Sequence, residues 1–311
     1  MEKKDVLVKT FYKFVPIAEN DLPQLEELFC RWADELNVRG LVILATEGIN
    51  TTLSAEPEDL ITFRNRVFER LELTNRKVEE KDSWTDHQPF RRFTVKVREE
   101  IVTLGRPGLA PDKDLDHHLS PKDWHQALQD PNTLVIDTRN DYEVEIGKFK
   151  QAVDPNITNF QEFPKYLEDE QVPKDKKILI YCTGGIRCEK AILDMRERGF
   201  NDVYQLQGGI LNYLKEFPEG DFEGECFVFD HRVAVDGQLQ PSKTYRLCPH
   251  CGNPGQVKIN CLHCGDEEIV CQTCIDKDEA RQTCSKNCAH HHREGHEFRR
   301  AHRQGFRKQG T

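Results

Sequence analysis

The sequence predicts an α/β protein in three parts: an α+β domain over residues 1–100, a parallel α/β domain over 121–225 and a cysteine-rich module over 226–290. Three observations carry this. In the first hundred residues, apolar positions switch between strand-like alternation and helix-like spacing. Over 121–225, short apolar strands alternate with amphipathic helices, the pattern of a parallel sheet. Eight of the 12 cysteines fall in close pairs between 248 and 288.

Charged residues make up 32% of the chain and mean hydropathy is −0.70, yet the apolar residues cluster in regular blocks, so most of the chain is expected to fold. No segment approaches the roughly 18 consecutive apolar residues of a membrane span. Met1-Glu-Lys-Lys-Asp5 has no apolar stretch behind it, so a cytoplasmic protein without membrane attachment is expected. In that setting paired cysteines read as metal ligands rather than disulfides. A net charge of −10 argues against indiscriminate nucleic-acid binding but leaves room for a local basic surface.

In the first domain, Val6–Val15 reads as a strand. Asn20 or Asp21 is placed to cap a helix with Pro23 in its first turn and Leu22, Leu25, Leu28, Phe29, Trp32 and Leu36 on one face. Cys30 falls in this helix as a core residue, and Gly40 is read as its stop. Leu41–Ala45 follows as a buried strand, Glu47-Gly-Ile-Asn50 as a turn and Thr51–Ser54 as a strand. A helix after Pro57 turns Leu60, Phe63, Val67 and Leu71 inward, and further strands lie near Arg76–Glu80 and Phe90–Arg98. The order βαββαβ is that of a ferredoxin-like or acylphosphatase-like fold. In the last strand Phe93, Val95 and Val97 share one face, while Arg92, Thr94, Lys96 and Arg98 share the other, with Arg91 alongside. Such a stripe is either a solvated sheet face or a phosphate-tracking surface for nucleic acid.

Residues 101–120, with Gly105, Pro107, Gly108 and Pro111, read as a linker. Ser120 opens a helix, Thr133–Asp137 and Lys177–Tyr181 are buried strands, and Glu189–Arg198 is a helix stopped by Gly199. Val203–Leu206 is a third strand, and Gly208-Gly-Ile-Leu211 begins another helix. Ligand sites of parallel sheets lie at the carboxyl ends of the strands, and Cys182 sits at such an end. It opens the loop Thr183, Gly184, Gly185, Ile186, Arg187, Cys188. Inward-pointing loop amides and the following helix N-terminus make an anion site, Arg187 adds positive charge, and the thiol becomes a thiolate. We read Cys182 as the nucleophile. The alternative, a structural cysteine ending a core strand, leaves two adjacent glycines without a purpose. Cys188 reads as a core residue at the helix start or as a resolving partner for an oxidised Cys182. Cys226 cannot be placed.

Cys248/Cys251, Cys261/Cys264, Cys271/Cys274 and Cys284/Cys288 make four ligand pairs. Two pairs complete a tetrahedral site, so two structural Zn²⁺ are expected, supplying folding energy that a stretch poor in large apolar residues lacks. Sequential and cross-braced pairings both fit, and His250, His263 or one of His290, His291 and His292 can replace a cysteine. The alternative is a reduced, metal-free segment. Residues 291–311 form a basic tail, with Arg293, Arg299, Arg300, Arg303, Arg307 and Lys308 against Glu294 and Glu297, and Phe298 and Phe306 interleaved. It reads as an RNA-touching arm or a solvated terminus.

The middle domain resembles the rhodanese family. The resemblance rests on Asp137-Thr-Arg139, on Ile146-Gly-Lys-Phe-Lys-Gln-Ala152 and on the cysteine loop. Four residues separate Cys182 from Arg187, the loop length of the sulfur-transfer enzymes in that superfamily rather than the five of its phosphatases. With Glu47-Gly-Ile-Asn50, Pro89-Phe-Arg91 and Gly224-Glu-Cys-Phe-Val-Phe-Asp-His-Arg232, residues 5–250 are similar to the bacterial rhodanese-like tRNA uridine(34) hydroxylase family. That resemblance implies oxygen-dependent 5-hydroxylation of the wobble uridine of tRNA, with molecular oxygen as co-substrate, the anticodon loop of tRNA as partner and Cys182 as the required cysteine. Neither a flavin or nicotinamide fingerprint nor an iron triad stands in the sequence. A persulfide-carrying sulfurtransferase is the alternative activity. A non-catalytic adaptor working through the cysteine module is a third reading, which the intact loop disfavours.

Overall fold

Alternation of apolar and polar side chains builds the first sheet of the computed structural model, which describes residues 6–111, 117–170 and 172–296. Strands β1 (Val6–Phe14), β2 (Arg39–Ala45), β3 (Gly48–Ala55), β4 (Glu79–Thr85) and β5 (Phe93–Val97) lie in the order β4-β1-β3-β2-β5. Helices α1 (Leu22–Glu35) and α2 (Pro57–Arg70) contribute Leu25, Phe29, Phe63 and Val67 to the core shared with Phe11, Val42 and Leu53.

The register decides what the other face of this sheet presents. Thr10 stands opposite Thr52 and Lys81, and Thr52 opposite Leu41. Tyr12 stands opposite Asn50, Asn50 opposite Ile43, and Ile43 opposite Lys96. These rows form a mixed polar and apolar surface away from the helices.

Several expectations are corrected here. Gly40 does not end α1; Asn37 takes the left-handed turn (φ +49°) and Gly40 lies within β2. A Cβ on Gly40 (φ +131°) would sit 2.1 Å from the Thr52 carbonyl oxygen, so close strand approach explains this glycine. Asp21 makes no capping bond, because a short 3₁₀ turn over Glu19–Asp21 runs into α1 and leaves Asp21 already helical (φ −84°, ψ −21°). The fourth strand begins at Glu79 rather than Arg76, since Arg76 N–H closes a turn onto the Leu73 carbonyl. In β2 Gly40, Val42, Leu44 and Ala45 are buried, while Leu41 and Ile43 belong to the second face. Val97, expected inward, is exposed.

The second sheet is parallel, in the order β6 (His118–Leu119), β10 (Val203–Leu206), β9 (Ile178–Tyr181), β7 (Leu134–Asp137). Around it lie α3 (Pro121–Ala127), α4 (Asp141–Val144), α5 (Phe163–Asp169), α6 (Ile186–Glu197) and α7 (Gly209–Glu216). Ser120 caps α3 through the Asp123 N–H. Two small antiparallel pairings complete this part: β8 (Gly147–Phe149) with β11 (Phe222–Gly224), and β12 (Cys226–Phe227) with β13 (Ala234–Val235). Residues 101–111 hold closely to the fold: Leu104 is buried in the core under α6, with Val102 and Leu109 against it.

By its contacts the chain divides into Met1–Ser242 and Lys243–Thr311. The second unit carries short antiparallel pairs, the longest being Val257–Asn260 with Glu267–Val270, and helices over Gln272–Lys277 and Lys286–Arg293. Of the basic tail, Glu297 and all that follows lie outside the described residues. Among the described residues, no helix is long and apolar enough to cross a membrane.

Candidate active site

Strand β9 is apolar at every position and ends at Tyr181, delivering Cys182 to the carboxyl edge of the parallel sheet. Helix α6 begins at Ile186, three residues before the start read from sequence, so the loop is a tight turn straight into a helix N-terminus. Gly185 (φ +98°) occupies the N-cap and turns its N–H onto Cys182 Sγ at 3.0 Å. Burial pushes the Cys182 thiol pKa up, but the Cys188 hydrogen bond, the Arg187 charge and the Arg187 and Gly185 amides outweigh it and bring it down to about 6. Cys188 is driven the other way, well above its ordinary value, by burial and by donating to the Cys182 sulfur. Cys188 is buried in the first turn of α6, in the core beneath it. A thiol of that pKa is mostly thiolate at pH 7 and is protonated below about 6. Iodoacetamide labelling of Cys182, followed by peptide mass spectrometry, should therefore rise through pH 6 and level off by pH 8; a midpoint near that of an ordinary thiol, about 8.5, would show that no activation exists.

Arg187 does not spend its guanidinium on the sulfur. Its two terminal nitrogens donate to Glu143 at 2.7 and 2.8 Å, and Thr183 Oγ1 donates to the same carboxylate at 3.1 Å. Glu143 is fully buried; burial raises its pKa, but Arg187 and the Asn140 amide win and hold it below the usual carboxylate range. It is thus a clamp on both ends of the loop, and sequence reasoning missed it. A second buried fork, Arg139 to Asp137 at 2.6–3.1 Å, closes β7 and also donates to the Gly147 carbonyl. Cys226 is buried near these pairs, its thiol pushed up to about 12 chiefly by burial.

Lys190 of α6 is buried between Glu47 (2.7 Å) and Glu100 (2.6 Å), which ties the first sheet to the helix that starts the loop. Between the loop and the second face of that sheet lies a cavity of about 570 Å³, lined by Cys182, Thr183, Gly184 and Arg187 on one side and by Thr10, Leu41, Ile43, Asn50, Thr52 and Lys81 on the other. Lys96 and Arg98 line it too, whereas Arg91 and Arg92 are exposed at the bend before β5 and are not among its lining residues. Segment 228–232 closes a further side. Asp230 and Arg232 repeat the Asp-x-Arg fork at 2.6–3.1 Å, and Arg232 reaches Ser83 at 2.8 Å. Phe229, 54% exposed, presents its ring within the cavity, with the Arg187 guanidinium 5.7 Å from its centroid.

This arrangement of domains is matched along the chain by three family models: an UPF0176 acylphosphatase like domain over residues 6–101, a rhodanese-like domain over 120–216 and a rhodanase C-terminal region over 223–289. A protein of Bdellovibrio bacteriovorus named tRNA uridine(34) hydroxylase is 49% identical over 93% of this chain and 82% of its own length. The chain belongs to the tRNA uridine(34) hydroxylase family. Proteins of the same name from Legionella pneumophila (strain Lens), 45% identical over 76% of this chain and 92% of theirs, and from Picosynechococcus sp., 41% identical over 84% and 90%, agree.

The C-terminal region of this family member gathers its cysteines into two groups, Cys248, Cys251, Cys271, Cys274 and Cys261, Cys264, Cys284, Cys288, each with its sulfurs within 4.8 Å of one another. First pair joins third and second joins fourth, so of the two pairings left open the cross-braced one is adopted. Sulfur separations are 3.5 Å for Cys251–Cys271, Cys264–Cys284 and Cys284–Cys288, and 3.9 Å for Cys264–Cys288. A tetrahedral ion with metal–sulfur bonds of about 2.3 Å places its ligands about 3.8 Å apart, so both groups fit a bound metal of zinc's size and softness. His250 instead donates from Nε2 to the Thr283 carbonyl at 2.8 Å.

Proposed function

We propose that this protein is an oxidoreductase that hydroxylates C5 of the wobble uridine, position 34, of tRNA, with dioxygen as co-substrate and Cys182 as nucleophile. The observation that carries the reading is Cys182, its thiol brought down to a pKa of about 6, opening into a cavity of mixed polar and apolar lining that also holds Lys81, Lys96, Arg98 and Phe229. The Cys182 sulfur adds to C6 of uracil, and the C5=C6 electron pair moves into an enolate spanning C5, C4 and O4. C5 then bonds to dioxygen. Two electrons from a reductant outside the chain, with three protons, convert that adduct to the C5 hydroxyl and release the second oxygen atom as water. Loss of the C5 proton expels the thiolate and restores the double bond. Overall, uridine, dioxygen, two electrons and two protons give 5-hydroxyuridine and water.

An anticodon-loop base is single-stranded and can enter such a pocket without breaking a duplex. Lys96 and Arg98 line the cavity and are proposed as phosphate contacts, with Arg91 and Arg92 further out at the bend before β5. Neutralising Lys96 and Arg98 to glutamine should weaken tRNA binding and reduce the log–log salt slope by about 0.7–0.9 per lost contact. An unchanged slope in filter-binding titrations would return them to a solvated surface.

The two four-cysteine groups are proposed to hold Zn²⁺ structurally, since four thiolates leave no coordination position open. Chelation should release two equivalents of zinc and unfold the second unit, read as loss of amide protection over 243–296; protection surviving full chelation would refute the structural role.

The function itself is tested by nucleoside mass spectrometry of tRNA from a strain lacking this protein and competing routes to the same modification. Returning this chain under ¹⁸O₂ should restore 5-hydroxyuridine derivatives carrying the heavy isotope. Restoration with label drawn from water instead would overturn the dioxygen step. If no hydroxylation returns but the purified protein takes a persulfide onto Cys182 from a sulfur donor, the sulfurtransferase reading replaces it.

A further inference from the structure

We propose that Lys81, contributed by the first domain, is a catalytic residue that donates from Nζ to the O4 carbonyl oxygen of the uracil ring as the enolate forms. The inference rests on the reading of Cys182 as nucleophile and names the group that meets the charge it creates.

Lys81 stands apart from the other cations of the cavity. Lys96, Arg98 and Lys215 are solvated, and Arg187 and Arg232 are each held in a carboxylate fork. Lys81 is only 6% exposed, lines the cavity and has no hydrogen-bond partner for Nζ among the described residues. A buried ammonium without a partner is costly, and folds retain such groups chiefly where function uses them. Its position is set by register: β4 pairs with β1 so that Lys81 stands opposite Thr10, on the face turned toward the cysteine loop. A Cβ built on Gly184 lies 4.0 Å from Nζ, so the ammonium overhangs the loop opened by Cys182.

When the thiolate bonds to C6, the displaced electron pair collects on O4. The same charge reappears when the C5 proton leaves and the thiolate is expelled. The loop amides serve the sulfur, and Lys81 is the buried donor left for the oxygen, in place before the charge develops. The groups that act on it are Tyr12 on β1, whose ring centroid is 5.5 Å from Nζ, Glu79 on β4, Glu189 on α6, Lys215 on α7 and Cys182 itself. Burial, the largest influence on it, lowers its pKa, while Glu79, Cys182 and Glu189 pull it back up.

The test compares wild type, Lys81→Met, Lys81→Arg and Cys182→Ala as full chains on an anticodon stem-loop RNA, with kcat and KM for hydroxylation, iodoacetamide labelling of Cys182 and thermal unfolding. Lys81→Met should lower kcat about 10²–10³-fold, the usual cost of one lost oxyanion donor. KM and the pH 7 labelling rate should stay within about threefold, showing binding and the nucleophile intact. Its melting temperature should hold or rise, because an unpaired buried charge has gone. Lys81→Arg should recover part of kcat. A kcat within about threefold of wild type overturns the proposal, and so does a rise in KM with kcat retained, the signature of a phosphate anchor. A fall in melting temperature matching the activity loss overturns it too. The parent reading fails separately: if Cys182→Ala keeps hydroxylating, the nucleophile is wrong, whereas a dead Cys182→Ala beside a fully active Lys81→Met sinks Lys81 alone.

Discussion

Replacing Cys182 with alanine should abolish 5-hydroxyuridine formation, by at least about 10⁴-fold in turnover, the scale of losing a covalent nucleophile. Serine should rescue nothing, because the surroundings that bring the thiol to about pKa 6 cannot ionise an alcohol. The fold should survive both changes: the side chain ends a core strand, and removing one sulfur leaves a small cavity worth about 1 kcal/mol. Cys188→Ala is the informative companion. It removes a hydrogen bond that lowers the Cys182 pKa, so labelling of Cys182 should shift its midpoint upward while product still forms. Complementation followed by nucleoside mass spectrometry reads all three variants. Full modification by Cys182→Ala would end the covalent mechanism. Loss of product in Cys188→Ala with Cys182 labelling unchanged would make Cys188 a chemical participant rather than a donor.

Arg187→Met should both destabilise the protein and quieten its cysteine. Methionine leaves the Glu143 carboxylate buried without its cation, which costs about 3–5 kcal/mol and lowers the melting temperature by on the order of ten degrees. The sign for Cys182 is equally definite. Arg187 favours the thiolate, and an unpaired Glu143 beside it disfavours the thiolate, so the Cys182 pKa rises above about 6. With an opposite charge removed at such range, the shift should be about one unit or more. At pH 7 the labelling rate therefore falls, and at pH 9 much of it returns. Glu143→Gln in the same chain removes the stranded charge and should restore most of the lost stability, since neutral replacements of a buried pair are often tolerated. A double variant no more stable than Arg187→Met would show that the pair is not the clamp we describe.

How legible these features were follows from how far apart their parts lie in the chain. The cysteine loop is a run of consecutive residues in which strand, glycines and helix start are all local, so its chemistry could be reasoned before any coordinates. The alternating stripe at the end of the first domain was equally local, and its Lys96 and Arg98 reach the cavity while Arg91 and Arg92 do not. That difference comes from where β5 begins. Glu143 could not be found this way, because it meets Arg187 from 44 residues earlier and its own neighbourhood reads as an ordinary capping box. Lys81 was hidden twice. Its strand was expected a few residues too early, and a lysine among Glu79, Glu80 and Asp82 looks like a solvated charge run.

The motif at Glu47 shows the same division. Sequence marked it as a turn that fits a family, but only packing reveals its carboxylate beside Lys190 at 2.7 Å, with its other oxygen taking the Ile101 N–H at 2.8 Å. The paired cysteines pointed to two four-cysteine groups by spacing alone, because a short pair can wrap only one side of an ion. They could not say which pairs combine, since that depends on how the hairpins and the helix over Gln272–Lys277 fold back on one another.

By itself, then, sequence determined the order and type of the domains, the cysteine loop proposed to carry the nucleophile, and the four cysteine pairs, all of which follow from local periodicity and short spacings. Tertiary structure decided the cavity, the Glu143 clamp, the cross-braced pairing and the burial of Lys81 in the cavity wall. Each of these depends on strand register or on contacts between distant segments, where a single residue's displacement turns a side chain to the opposite face and local pattern carries no record of the partner it will meet.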